Sequence, residues 1–278
     1  MLLAAVFVGS DSLVLSNACG RAEVSLVGAQ VTSYVPAGGE EVLFMPQDRD
    51  FSRNREMHGG IPVCWPWFGR CGEPGSRIHG LARYCRWTLA ERTDSNSLTR
   101  VVLKMDSSEE TRQVWPHDFA LRYEIELGSR LDLRLVASNL DKRPFGVTAG
   151  FHPYFRVADP GRVVVRGMSD PVNVYPGIDK GFYTPSNGRY GFATGFSEIE
   201  MTAKGECRLI VWNPGPDPSD WCPENNLGRG DWRHFVCVEP TISRRDHAVE
   251  LDPGQSHMFQ MTLSSKPTCG NCGSDVNQ

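Results

Sequence analysis

Four short segments concentrate the side chains that could move protons. Gly59-Gly60-Ile61-Pro62-Val63-Cys64-Trp65-Pro66-Trp67-Phe68-Gly69 carries three aromatic rings, and His79-Gly80-Leu81-Ala82-Arg83 an imidazole and a guanidinium. Phe151-His152-Pro153-Tyr154-Phe155 sets a second imidazole among rings, and Val236-Cys237-Val238-Glu239-Pro240 supplies a carboxylate. An imidazole with an ordinary pKa of about 6.5 both gives and takes protons at neutral pH. Flat aromatic faces pack on the C–H faces of sugars, and a guanidinium suits sugar hydroxyls or a phosphate. The set fits acid–base chemistry on a carbohydrate.

Each residue also has a plainer reading. Val236 and Val238 point one way in an extended chain, Cys237 and Glu239 the other. If the valines face the core, the carboxylate faces solvent or a cleft. Pro240 is expected to end regular pairing there, which would equally make Glu239 a solvated edge charge. Pro153 biases His152 towards an extended conformation, among Phe151, Tyr154 and Phe155; a packed histidine satisfied by backbone would look the same. Gly80 lets a backbone or a ligand come close to His79, although a lone His-Gly-x-x-Arg could be a surface loop. Pro62 and Pro66 keep the aromatic run out of a helix. Because alternate residues face opposite ways, some of its rings must be core; Trp65 and Phe68 are expected nearer the pocket.

The elements that must position these residues are strands. Leu121, Tyr123, Ile125 and Leu127 alternate with Arg122, Glu124 and Glu126; Gly128-Ser129-Arg130 breaks the run, and Leu131, Leu133 and Leu135 resume it, the signature of a β-hairpin. Short strands are also expected over Val101–Met105, Val163–Arg166, Leu209–Trp212, Phe235–Val238 and Met258–Leu263. Clusters such as Pro36-Ala-Gly-Gly39 and Asn213-Pro-Gly-Pro-Asp-Pro218 separate them. No helical period of useful length and no βα alternation is present. The fold class expected is all-β, a large antiparallel β-sandwich, with a single domain over residues 1–265 and a loose tail over 266–278.

Charge and cysteine usage narrow the partners. With 29 basic and 33 acidic residues the formal net charge is −4, and no basic block stands out, so nucleic acid is not an expected partner. The apolar run at the N-terminus is about eight residues long with no basic residue before it, unlike a secretory signal. Val6–Val14 is read instead as a first strand with a turn at Gly9-Ser10-Asp11. No run approaches the roughly 20 residues of a membrane span. The nine cysteines are an odd number, and Cys64, Cys207 and Cys237 sit in apolar runs, as free thiols in a reducing cytoplasm would. Cys269-Gly-Asn-Cys272 is half of a zinc set at most, so no metal is expected.

The four segments, in this order, resemble the aldose 1-epimerase superfamily, most closely its hexose-6-phosphate 1-epimerase branch, over about Gly28–Leu263. The resemblance implies a large antiparallel β-supersandwich. It implies Glu239 as general base, His152 as general acid, and His79 and Arg83 as sugar-binding residues. It also implies Asp179, in Gly177-Ile-Asp-Lys-Gly-Phe-Tyr183, as a contact to a sugar hydroxyl, and Trp212-Asn213-Pro214-Gly215 as pocket wall. Where the branch carries an Arg that contacts phosphate, before the Gly-Gly-Ile-Pro run, this chain has His58, with Arg53 and Arg55 close by. The Asp-Arg-x-Tyr segment of the branch also departs here. The implied reaction interconverts the α and β anomers of a hexose 6-phosphate, with no cofactor; no P-loop, HExxH or dinucleotide fingerprint is present. Three alternatives stand beside it. One is the same reaction on an unphosphorylated aldose. Another is a glycosidase, which would require a second carboxylate. The third is a non-catalytic carbohydrate-binding protein on the same fold.

Overall fold

The structure, a computed structural model, describes residues 11–51, 56–71, 76–184, 188–205, 208–216, 226–243 and 245–267. Residues 1–10, Arg53, Arg55, Cys207 and the Cys269–Cys272 pair lie outside them.

The alternating runs build two main antiparallel sheets. The larger has seven strands in the spatial order Arg189–Ala193, Ser197–Lys204, Ser256–Pro267, Leu131–Asn139, Phe119–Leu127, Thr99–Asp106 and Thr88–Asp94. Its centre is the expected hairpin, in which Leu127 pairs with Leu131 across Gly128-Ser129-Arg130. The second sheet orders Asp179–Tyr183, Arg208–Trp212, Phe235–Ile242, Ala149–Phe151 and Val63–Cys64, with Tyr154–Arg156 also on Phe235–Ile242. The strands Ser12–Asn17, Gly20–Ser25 and Val31–Pro36 form a smaller third sheet. The first of these takes in Val14.

Side chains alternating inward from the two main sheets meet in one core. Tyr123 stacks on Phe151 at 5.8 Å and Phe151 meets Phe259 at 5.1 Å. Leu209, Val211, Val236 and Val238 point into this core from the second sheet and are fully buried. The valines of the Val-Cys-Val-Glu segment thus take the core side, and Cys237 and Glu239 the other. Two expectations need correction. The chain stays in a strand through Pro267, with Lys266 paired to Glu198, so the sandwich runs past residue 265. Pro240 does not end its strand, which continues to Ile242. On one side of it, Ala149–Phe151 pairs with Ile242 and Thr241, and Tyr154–Arg156 with Phe235–Cys237. Val238–Pro240 therefore faces a break in the neighbouring strand, where a residue without an N–H forfeits no ladder bond.

Candidate active site

The break that tolerates Pro240 also carries His152. The chain leaves the sheet after Phe151 and rejoins it at Tyr154, and the His152 N–H donates to the Pro62 carbonyl at 3.1 Å. The imidazole thereby arrives beside Glu239, with His152 Nε2 3.5 Å from Glu239 Oε2. Both are almost completely buried, at 6% and 1% exposure. At this separation the two are adjacent but not locked in a short hydrogen bond. His152 Nδ1 and Glu239 Oε2 have no hydrogen-bond partner among the described residues.

His79 completes the group. Its ring meets His152 edge to face at 5.2 Å and Phe68 at 4.7 Å. Its backbone takes φ 63°, a left-handed conformation uncommon for a residue with a side chain and often found at functional sites. Two bonds to Gly69 hold it there. The His79 N–H donates to the Gly69 carbonyl at 2.8 Å, and the Gly69 N–H donates to His79 Nδ1 at 3.0 Å. Since Nδ1 accepts, the ring proton sits on Nε2. Gly80 follows at φ 81°, so close to the Trp65 carbonyl that any Cβ would collide with it.

Aromatic rings enclose this polar centre. Tyr154 stacks on His152 at 4.8 Å and 8°, Phe68 lies nearly parallel to it at 6.3 Å, and Trp212 meets it edge-on at 5.9 Å. Tyr154 was not among the expected site residues. The signal for it was available, because it stands two residues after His152 and so shares its face. Trp65 is different from what its segment suggested. It is 1% exposed and packs on Phe119 at 4.6 Å and Trp115 at 5.0 Å, on the core side. The two-residue strand Val63–Cys64 explains this, since Val63 and Trp65 share the core face and Cys64 takes the cleft face. Asn213 is a positioning residue: its Nδ2 donates to the Trp232 and Phe235 carbonyls at 2.7 and 2.9 Å.

One wall of the site is charged. Arg83 is 3% exposed; its Nη1 lies 3.2 Å from Glu56 Oε1 and its Nη2 donates to the Met57 carbonyl at 2.7 Å. Glu56 Oε1 also lies 3.6 Å from His58 Nε2. His58 is buried and tied by its backbone to Asn226, which accepts from the His58 N–H at 2.7 Å and donates to its carbonyl at 3.2 Å. Glu56 stands between Arg55 and His58 in the chain, and only the structure shows that it bridges Arg83 and His58; nothing near Asn226 in the chain marks it. Asp179 is exposed, at the end of an edge strand, where it pairs with Trp212.

Burial sets the proton affinities. It pushes the Glu239 carboxyl well up; the Asp179 charge adds to this and Arg83 opposes it. It pushes His152 well down, with Arg83 and His58 adding to the effect. Ordinarily a histidine holds its proton more tightly than a glutamate. Here the two move towards one another from opposite sides, which suits a pair that must pass a proton in both directions. His79 is also held down, by burial first and then by His152 and Arg83. Burial brings His58 to about 4. His152, Cys237 and Glu239 bring one ligand atom each within 4.8 Å of one another. This is a donor set that a zinc ion could use, on the acid–base pair itself.

A sequence profile described as Aldose 1-epimerase matches residues 11–169, more than half of the chain. The chain belongs to the aldose 1-epimerase family. Membership supports an isomerase that interconverts the anomers of hexose sugars. Relatives bearing the name "Putative glucose-6-phosphate 1-epimerase" are 29% identical in Salmonella typhimurium, over 88% of each chain, and 29% identical in Escherichia coli K12, over 92% of this chain and 91% of the relative. A crystal structure of a mutarotase candidate from Salmonella typhimurium superposes with a TM-score of 0.83 at 26% identity, covering 92% of this chain and 90% of that one. Galactose 1-epimerase from Lactobacillus acidophilus shares the fold, with a TM-score of 0.71 at 13% identity over 92% and 94% of the two chains.

Proposed function

We propose that this member of the family is a hexose-6-phosphate 1-epimerase, with Glu239 and His152 as its acid–base pair. The observation that carries the reading is their direct approach, 3.5 Å between nitrogen and oxygen in a buried, aromatic-walled cleft. Anomerisation acts on two oxygens attached to one carbon, O1 and the ring oxygen, so its acid and base must be near neighbours. Glycosidases instead hold two carboxyl groups about 5 Å or more apart across the scissile bond. Asp179 is a second carboxylate whose charge reaches Glu239, and a hydrolase would use such a pair. The histidine in contact with Glu239 favours the isomerase.

The pair carries one proton between its two groups; in the ring-opening step that proton sits on His152, so that Glu239 takes the proton from the C1 hydroxyl while His152 gives its own to the ring oxygen. The C1–O5 bond breaks and C1 becomes an aldehyde. Rotation about C1–C2 presents the other face of the carbonyl. Closure returns each proton, now with Glu239 as acid and His152 as base. Each such transfer contributes about 10²–10⁴-fold. The Nε2–H of His79 serves as donor to a ring or hydroxyl oxygen, and Phe68, Tyr154 and Trp212 confine the ring. The phosphate is supported by the names of the relatives. A reducing cytoplasm belongs to the same reading and is supported by the free buried thiols of Cys64 and Cys237.

Anomer exchange by NMR, comparing glucose 6-phosphate with glucose and galactose, tests it. Acceleration of the phosphate above the neutral sugars is expected. Preference for a neutral sugar would move the protein to the aldose reaction, and no acceleration of any of the three would remove the catalytic reading for them.

A further inference from the structure

Among the charged side chains on the face of the second sheet that carries Glu239 is Arg208, which no motif marks. Arg208 pairs with Tyr183 on one neighbouring strand and with Thr241 on the other, and Thr241 pairs with Gly150. Two residues along, Ile210 pairs with Gly181 and with Glu239. Residues two apart in a strand share a face, so Arg208 and Thr241 stand on Glu239's side of the sheet, about 7 Å further along it. This step is comparable with the span from the anomeric centre of a pyranose to a substituent on C6.

The surroundings of Arg208 are those of an arginine without its anion. Its guanidinium lies across Gly181, in the space that any side chain there would fill. It sits 5.4 Å from the ring centroid of Tyr183, and its one hydrogen bond among the described residues, Nη1 to Ser243 Oγ, is 3.4 Å long. Among the described residues its buried Nε has no acceptor and no carboxylate pairs with it. Beside it Thr241 is fully buried and its hydroxyl also lacks a partner among the described residues. Buried polar groups left unsatisfied are costly, and few are kept without a reason. A guanidinium matches the oxygens of a phosphate or carboxylate in a planar fork, and a hydroxyl adds a donor.

We propose that Arg208, with the Thr241 hydroxyl beside it, holds the anionic substituent of the sugar and so sets the preference for a charged over a neutral hexose. This rests on the sugar-phosphate reading of the Glu239–His152 site, for which the anion is the C6 phosphate. A uronic acid would present a carboxylate at the same place.

The test compares the parent protein with Arg208→Gln, Arg208→Lys and Thr241→Val. Anomer exchange is measured on glucose 6-phosphate, glucuronate and glucose, and binding of inorganic phosphate is followed by 31P line broadening. Loss of one charge-assisted bond should lower kcat/KM for glucose 6-phosphate about 10- to 100-fold in Arg208→Gln, far more than for glucose, and weaken phosphate binding in parallel. Arg208→Lys should fall between the two. Thr241→Val keeps its shape and gives up an unpaired hydroxyl, so it should fold as the parent does and still lose preference for the phosphate. It thus serves if Arg208→Gln does not fold. An unchanged phosphate preference in Arg208→Gln, or equal losses for glucose and its phosphate, would overturn the role of Arg208 and leave the sugar chemistry standing. A preference for glucuronate that Arg208→Gln abolishes would support Arg208 and replace the phosphate of the proposed function by a carboxylate. A parent protein that accelerates only neutral sugars and binds no phosphate would overturn both.

Discussion

The outer face of the seven-stranded sheet and the cleft face of the second sheet use the same side chains to opposite ends. On the outer face every arginine of the central strands has carboxylate partners. Arg100 meets Glu91 and Glu124, Arg122 meets Glu91 at 3.4 Å and Glu124 at 3.1 Å, and Arg134 meets Glu124 at 2.5 Å and Glu126 at 3.2 Å. These contacts hold the Glu124 carboxyl below its ordinary range. On the cleft face Glu239, His152, Arg208 and Thr241 each keep an atom without a partner among the described residues, and burial holds the Glu239 carboxyl above its ordinary range. A paired charge in water is part of the scaffold and contributes little. An unpaired one away from water costs stability and is available to a ligand.

Substitutions on the two faces should therefore separate activity from stability. The largest effect is expected from Glu239→Gln and His152→Ala, each lowering anomer exchange by about 10²–10⁴-fold; Glu239→Gln keeps the shape of the side chain and should cost little Tm, whereas His152→Ala also leaves a cavity among Tyr154, Phe68 and Trp212 and should lower it. Parent-like exchange in either variant would remove that residue from the pair. Behind the cleft, Trp65→Ala should cost about 3–5 kcal/mol in urea unfolding through the cavity it leaves. Phe68→Ala should act mainly on KM. A Trp65→Ala protein with parent stability and a raised KM would return Trp65 to the pocket.

The two faces should also respond to acid in different windows. His58 has a folded-state value of about 4 against an ordinary 6.5, so the unfolded chain binds its proton first. Stability from keeping it neutral is complete above pH 6.5 and is lost as the pH falls towards 4, by roughly 3 kcal/mol in all. His152 and His79 are depressed as well and add to the same slope. The depressed carboxyl of Glu124 contributes above its ordinary 4.5 and is lost only as the pH falls below it. Urea unfolding between pH 7 and 4.5 should show the first slope, and His58→Asn should flatten it. An unchanged slope in that variant would mean that His58 does not titrate there. The smallest effect is expected from Glu124→Gln, which leaves three arginines short of an acceptor, costs about 1 kcal/mol at neutral pH and leaves anomer exchange at the parent rate. A loss of rate in it would couple the outer face to the cleft.

Much of this was legible in the chain itself. Alternation over Leu121–Leu135 announced the hairpin at the centre of the larger sheet, and alternation in Val236–Glu239 put the carboxylate opposite the core. Both follow from the period of two that any strand imposes, which is local and survives without knowledge of neighbours. The contribution of Pro240 was misjudged because its tolerance depends on a break in another strand. Trp65 was misplaced because two of three rings in an extended run must share a face, and which face depends on what packs there.

Residue types and their spacing determined that this protein is a β-sandwich with two imidazoles, a carboxylate and aromatic surface held near glycine and proline. The tertiary structure decided which of them meet. His152 and Glu239 are 87 positions apart, and only the register of Phe235–Ile242 against the interrupted strand brings them to 3.5 Å. Proton affinity was decided there too, because it depends on burial and on charges that arrive from other strands. Arg208 and Thr241 make the same point. In the sequence they are one arginine and one threonine among many, and only pairing across three strands sets them on the face that carries Glu239.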